Sequence, residues 1–289
     1  MTSDAFSFGV SEFTTWPWPF ERDIERYPRH AIDTVEITEF KLDAYGRARQ
    51  LSSIAEAGLG VSSVQATVHA LFPTKLQPEP LAPRDRARHI RTSIESIAPH
   101  VPAGTPFVVI TGAAPNGDVH AVVHEACAAF QELAAVAEAH GVRIAFEPLH
   151  PSLMNVDSAI CTLGDALDLV AAVDHPAFGV CVDTWNVWQT PDLDAAIARA
   201  GDRIFLVQIS DWRTPRGYYD RTVPGDGRIP LGRIVQATRA AGYAGAYVLE
   251  IFSSESLPDS LWRADLDDVL DRSCAGFARI VDSLPRAAS

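Results

Sequence analysis

A closed (β/α)8 barrel of the α/β class is the fold that this sequence predicts. Three observations carry the prediction. Eight short apolar runs alternate with stretches of helical period. No GxGxxG turn follows the first run, as it usually does in an open doubly wound sheet. The length, 289 residues with 47% hydrophobic, suits one barrel of about 250 residues with modest additions. One barrel domain over residues 1–289 is expected, because no internal repeat, low-complexity tract or linker interrupts the alternation.

The elements follow in chain order. The predicted strands are Phe6–Phe13, Ile32–Phe40, Val61–Ala70, Phe107–Gly112, Arg143–Leu149, Phe178–Asp183, Ile204–Asp211 and Ala246–Phe252. Helical periodicity is clearest in Tyr45–Ala57, Arg84–Ile97, Val119–His140, Leu163–Val173, Leu193–Ala200, Leu231–Ala241 and Leu261–Leu284. The pairs His140-Gly141 and Ala241-Gly242 read as helix C-caps before strands. The Pro-rich stretch Pro73–Pro83 reads as a long loop after strand three, on the face where this fold places its chemistry.

Composition narrows the function. A net charge of −13 repels phosphate backbones and argues against nucleic acid as substrate or partner. No signal peptide and no run of about 18 apolar residues is present, so neither export nor a membrane span is expected. The four cysteines, Cys127, Cys161, Cys181 and Cys274, form no CxxC pair. A zinc knuckle is therefore not expected, and a cytoplasmic, reduced protein is.

The chemistry concentrates at strand ends. Strand five ends at Glu147, strand six at Asp183, strand seven contains Gln208, and strand eight carries Glu250 near its end. A carboxylate closing an apolar strand is costly unless something pairs with it. One such residue can be a helix N-cap or an ion-pair partner. Four on consecutive strands match a hard divalent cation, with Mn²⁺ or Mg²⁺ better suited than zinc to three carboxylates and an amide oxygen.

These segments carry a resemblance. Phe-Glu-Pro-Leu-His (146–150), Val-Asp-Thr-Trp-Asn-Val-Trp (182–188), Val-Gln-Ile-Ser-Asp-Trp (207–212), Asp-Arg-Thr-Val-Pro-Gly-Asp-Gly (220–227) and Leu-Glu-Ile-Phe (249–252) resemble the xylose-isomerase-like TIM-barrel superfamily. That superfamily includes sugar isomerases and epimerases, dehydratases and apurinic endonucleases. The resemblance implies metal ligands at Glu147, Asp183, Gln208 and Glu250, and one ion, Mn²⁺ first, then Mg²⁺ or Co²⁺. Many relatives place His where Gln208 stands; Gln there is similar to dehydroshikimate dehydratases and C-glycoside-cleaving enzymes. Asn186 stands where many relatives have His, and Thr222 where the endonucleases do. Without those histidines a trinuclear zinc cluster cannot form.

His150, three residues past Glu147, suits a general acid or base near neutral pH; the alternative is a loop histidine packed between Pro148 and Pro151. The resemblance to C-glycoside-cleaving enzymes also implies a proton-transfer role there. Trp16, Trp18, Trp185, Trp188 and Trp212 are candidate pocket walls for a sugar or an aromatic aglycone. Trp16 and Trp185 are taken as substrate-binding together with His69. Glu36 and Glu39 are candidates for reaching the site from strand two. Arg213, Arg216 and Arg221 cluster after strand seven. Arg221 is the expected substrate-binding one, on its similarity to an epimerase arginine.

The expected function is a divalent-metal-dependent isomerase or epimerase of a ketose or keto-sugar. Glu147, His150 and Glu250 would move the proton next to the carbonyl. The alternative is a lyase using the same enolate, either a keto-polyol dehydratase or a 3-oxo-C-glycoside deglycosidase. A non-catalytic sugar-binding barrel ranks third. The expected partner is a small sugar or glycoside, and either a homo-oligomer or a hetero-oligomer with a small second subunit remains open.

Overall fold

The computed structural model describes residues 6–214 and 221–285. Eight parallel strands close a barrel: β1 (Phe8–Ser11), β2 (Thr34–Thr38), β3 (Gly60–Ala70), β4 (Pro106–Ile110), β5 (Arg143–Phe146), β6 (Phe178–Asp183), β7 (Ile204–Ile209) and β8 (Tyr247–Leu249). Neighbours pair in sequence order, and β1 pairs with β8 to complete the ring. All eight predicted strands are present, mostly shorter than expected at one or both ends.

Around the barrel lie α1 (Phe20–Arg26), α2 (Arg47–Glu56), α3 (Pro83–Ile97), α4 (Val119–Ala139), α5 (Leu163–Val173), α6 (Thr184–Val187), α7 (Leu193–Ala200), α8 (Leu231–Ala240) and α9 (Leu266–Asp282). The expected helix starting at Leu261 instead begins at Leu266, where the Asp265 side chain accepts the Asp267 N–H. Leu261–Arg263 forms a separate 3-10 turn. The two glycine stops hold, with left-handed φ of +69° at Gly141 and +96° at Gly242.

Strand alternation sorts the core into two layers. Outward residues such as Phe107, Ile144, Phe146 and Phe178 pack under the helices. Phe130 of α4 sits 5.7 Å from Phe146 and 5.3 Å from Phe178, ring centre to centre. Inward residues Val108, Ala145, Cys181, Leu206 and Val248 form a small apolar cluster of their own inside the barrel. Successive side chains of a strand point to opposite faces, so the residue two positions further shares that inward face. Those residues are Ile110, Glu147, Asp183, Gln208 and Glu250. The acids therefore stand one layer above an apolar plug, at the C-terminal mouth.

Two connections shape that mouth. After β3 the Pro-rich loop is held by Arg86 of α3, which is fully buried. Its guanidinium donates to the carbonyls of Ala70 (2.6 Å), Gln77 (3.1 Å) and Pro80 (3.1 Å). Past β7, Asp211 turns out of the barrel into a two-residue antiparallel ribbon with Arg221–Thr222. Its carboxylate accepts the N–H groups of Gly225, Gly227 and Ile229 at 2.8–3.1 Å. Arg221 thereby starts a braced loop.

Gly112, just beyond β4, has φ +84°, and a Cβ there would lie 2.0 Å from the carbonyl oxygen of Phe72. Gly112→Ala is therefore expected to cost about 2–4 kcal/mol, because the backbone conformation and the close approach both require glycine. Urea denaturation is the measurement. A midpoint unchanged from the parent would show that the β3 and β4 loops separate freely.

Candidate metal centre and active site

Glu147, Asp183 and Glu250 are buried, and one carboxylate oxygen of each lies within 4.8 Å of the others. Each side chain arrives on the inward row of its own strand or immediately after it. Burial, together with the charges of Glu250 and Asp183, pushes the Glu147 carboxyl well above the usual carboxylate range. Glu250 is raised to about 8, by burial first, with Arg221 opposing the rise.

The local counter-charge is Arg221. Its Nη2 lies 2.8 Å from Asp183 Oδ2 and its Nη1 3.0 Å from Glu250 Oε2. The guanidinium is 5.0 Å from the Trp185 ring centre and 5.2 Å from that of Phe252. One cation against three converging carboxylates leaves negative charge to spare. All their donors are hard oxygens. This donor set fits a divalent ion such as Mn²⁺ or Mg²⁺, so the triad is a candidate divalent-metal site.

Asn186 ties the acids together. Its amide donates to Glu147 Oε1 at 2.7 Å and to Asp183 Oδ2 at 2.9 Å, and its carbonyl accepts the His150 N–H at 3.0 Å. Beneath them, Glu36 from β2 is buried and accepts from Ser63 Oγ (2.6 Å) and Gln65 Nε2 (2.9 Å). Burial raises its pKa while these donors oppose the rise. Gln65 also donates to Glu250. Of the two strand-two candidates, Glu36 thus reaches the site. Glu39 instead accepts from Ser93 and pairs with Arg47.

Gln208 stands beside Glu250 in a specific orientation. Its amide nitrogen faces Glu36 and Glu250 Oε1, at 3.0–3.1 Å, and its oxygen accepts from the Cys181 thiol at 3.1 Å. The expected ligand is present at the centre with its nitrogen, not its oxygen, toward the acids. Bringing the oxygen round is a half-turn of the terminal amide.

Above the acids lies a cavity of about 340 Å³. Glu147, Glu250, Gln65, Asn186 and Arg221 are among its polar lining, with Thr74, Gln77 and Asp157. Among the expected substrate-binding residues, His69 and Trp16 line it as well. Burial pushes His69 down to about 4, so its ring is neutral, with Nδ1 3.1 Å from the Ala66 carbonyl.

Other expected residues lie outside this lining. Trp185 is 1% exposed and lies outside the lining; its indole packs against Arg221 and His150 instead. His150 is also outside the lining. Its Nδ1 contacts Ser152 Oγ (2.9 Å) and accepts the Ser152 N–H (3.1 Å), while Nε2 meets Gln189 Oε1 at 2.9 Å. The ring is held between Ser152 of the loop after β5 and Gln189 just past α6. Trp18 is buried under Arg22, and Trp188 packs on Trp212. Arg213 pairs with Asp259. Arg216 lies outside the described residues, as does Asp220.

The comparisons with known proteins agree with this architecture. Over 123 residues the chain is 34% identical to a D-psicose 3-epimerase of Ruminiclostridium cellulolyticum, a stretch covering 42% of this chain and 39% of that enzyme. Over 124 residues it is 30% identical to a 3-dehydroshikimate dehydratase of Pseudomonas putida, covering 39% of this chain and 18% of that enzyme. The match thus spans well under half the length of these curated relatives. A crystal structure of a protein from Sinorhizobium meliloti 1021 superposes with a TM-score of 0.82 at 26% identity, over 95% of this chain and 98% of that one. The family model for the xylose isomerase-like TIM barrel matches residues 24–272, and the chain belongs to that family.

Proposed function

We propose that this protein is a divalent-metal-dependent isomerase or epimerase that removes and returns a proton next to the carbonyl of a ketose or keto-sugar. The observation that carries this reading is the convergence of Glu147, Asp183 and Glu250 within 4.8 Å under a cavity of sugar-binding size. The match to a D-psicose 3-epimerase supports it.

Glu147, Asp183 and Glu250 would hold the ion, Mn²⁺ first, and Gln208 would join them once its amide turns over. A divalent cation there supplies Lewis-acid polarisation of the substrate carbonyl and stabilises the enolate charge. The protein's own groups do the rest. Glu147 and Glu250, just past β5 and β8, flank the centre; one takes the proton from carbon and the other returns it. Asn186 keeps Glu147 and Asp183 in place, and Gln65 does the same for Glu250. Arg221 faces the cavity from between the Trp185 and Phe252 rings and offers donors to substrate oxygens. His69, neutral, offers a ring nitrogen to a hydroxyl.

Elimination from the same enolate is the second reading, and the match to a 3-dehydroshikimate dehydratase favours it. Product analysis separates the two: an isomerase conserves the substrate formula, whereas a dehydratase loses water.

In D₂O with Mn²⁺, ketoses are expected to gain one deuterium at the carbon next to the carbonyl. Chelator treatment should abolish the exchange, and Glu147→Gln should do the same. No exchange with any ketose or keto-sugar would sink the reading. Gln208→Leu is expected to weaken Mn²⁺ binding by about 10–100-fold; unchanged metal content by plasma emission spectroscopy would remove the amide from the centre. This reading gives the relay to Glu147 and Glu250 and leaves His150, bonded to Ser152 and Gln189, outside it. His150→Ala should alter turnover less than about tenfold. A loss of about 10²–10⁴-fold with metal intact would instead make it the proton carrier.

A further inference from the structure

The catalytic cavity does not end at its mouth. A second hollow of about 240 Å³ adjoins it, and the two share Phe13, Trp16, Leu76 and Phe252. Trp262 closes the far side. The rings form one connected array. Phe13 and Trp16 stack at 5.5 Å with planes 14° apart, Phe13 and Phe252 are 4.7 Å apart, and Trp16 and Trp262 are 6.4 Å apart. The indole N–H of Trp262 is spent on the Phe13 carbonyl at 2.9 Å. It therefore lines the hollow without a free N–H donor.

The two compartments differ in chemistry. The acidic floor is built for oxygen-rich groups, with carboxylates, amides and a guanidinium. The annex offers aromatic faces and an aliphatic side chain, with Ser254 and the exposed Glu255 among its polar lining. Trp16 is 40% exposed and Leu76 54%. Large apolar groups left open beside a polar site mark a place where ligand surface is buried. A hexose can rest one C–H face on such a ring but strands hydroxyls against the other apolar walls, whereas an aryl group strands none.

On the function proposed above, we infer that the substrate is amphipathic: a keto-sugar or polyol end sits over the acids, and an aryl substituent lies in the annex against Trp16 and Trp262. Leu76 covers the ring edge from the Pro-rich loop, whose position Arg86 sets through the Gln77 and Pro80 carbonyls. Offset stacking on the two indoles together with apolar burial supplies the selectivity.

The test reads binding separately from chemistry. The Mn²⁺-loaded protein is titrated by calorimetry with phenyl β-D-glucopyranoside and with methyl β-D-glucopyranoside, which lack the carbonyl and do not react. The phenyl compound is expected to bind at least about tenfold more tightly, about 1.4 kcal/mol. The ratio should fall toward one in Trp16→Ala and in Leu76→Ser, two exposed positions whose loss leaves the core intact. Equal affinities, no binding of either compound, or a ratio unmoved by both substitutions would overturn the inference. A change of oligomeric state in the variants without a change in the ratio would overturn it too, and would assign the rings to a protein interface. Deuterium exchange is run in parallel on unsubstituted ketoses. Exchange without an aryl preference removes the annex and keeps the reaction; an aryl preference without exchange keeps the annex and removes the reaction.

Discussion

Three carboxylates on one inward row are the constraint from which the rest of the site follows. Placed singly, each would be a local problem of desolvation, open to solution by one hydrogen bond or one ion pair. Placed together under the barrel mouth, they repel one another and need positive charge at their centre. Arg221 supplies part of it and is braced accordingly: its backbone lies on the ribbon with Asp211–Trp212, and its guanidinium lies near two aromatic rings. Asn186 and Gln65 add neutral donors where further charges would overcrowd the space. The apolar plug below, with Cys181 and Leu206, keeps water from entering the barrel from beneath and leaves the acids facing one opening.

The legible part of this arrangement is the part written in strand periodicity. Ala145 and Glu147, Cys181 and Asp183, Leu206 and Gln208, Val248 and Glu250 are each two residues apart, so an apolar residue and an acid or amide share one face. That spacing is visible without coordinates, although the acids were found from their places at strand ends. Helix α1 escaped notice because Phe20–Arg26 spans only seven residues and follows Trp-Pro-Trp-Pro, which reads as loop. Strand ends were overextended because apolar residues continue past the last ladder bond into the turns that pack on the barrel, as at Phe13 and Phe252.

Directions of individual side chains were the illegible part. His150 and Trp185 pack on one another, with ring centres 5.4 Å apart, and neither is in the cavity lining. Nothing in sequence spacing distinguishes a loop residue that looks into a cavity from one that props up its neighbour. Asn186 illustrates the opposite error. It was noticed as a missing histidine, yet its amide has both a donor and an acceptor to use, and it joins two acids and the His150 backbone at once. A buried amide one helical turn after a strand-end Asp is a signal that could have been weighed. Gln208 teaches a related lesson, since identity alone does not say which end of an amide meets the acids.

Arg86 ties the end of β3 at Ala70 to the Pro-rich loop mainly by main-chain carbonyls, those of Gln77 and Pro80 in the loop, with a long contact to the Gln77 amide oxygen at 3.4 Å. Such an anchor is indifferent to most of the side chains it holds. Loop residues other than Thr74 and Gln77, whose side chains bond within and below the loop, can therefore change while the loop keeps its course. The barrel's floor has no such licence, because each of its acids is bound to several partners. Descendants of this chain can consequently retune what they admit, one loop residue at a time, and inherit the chemistry unaltered.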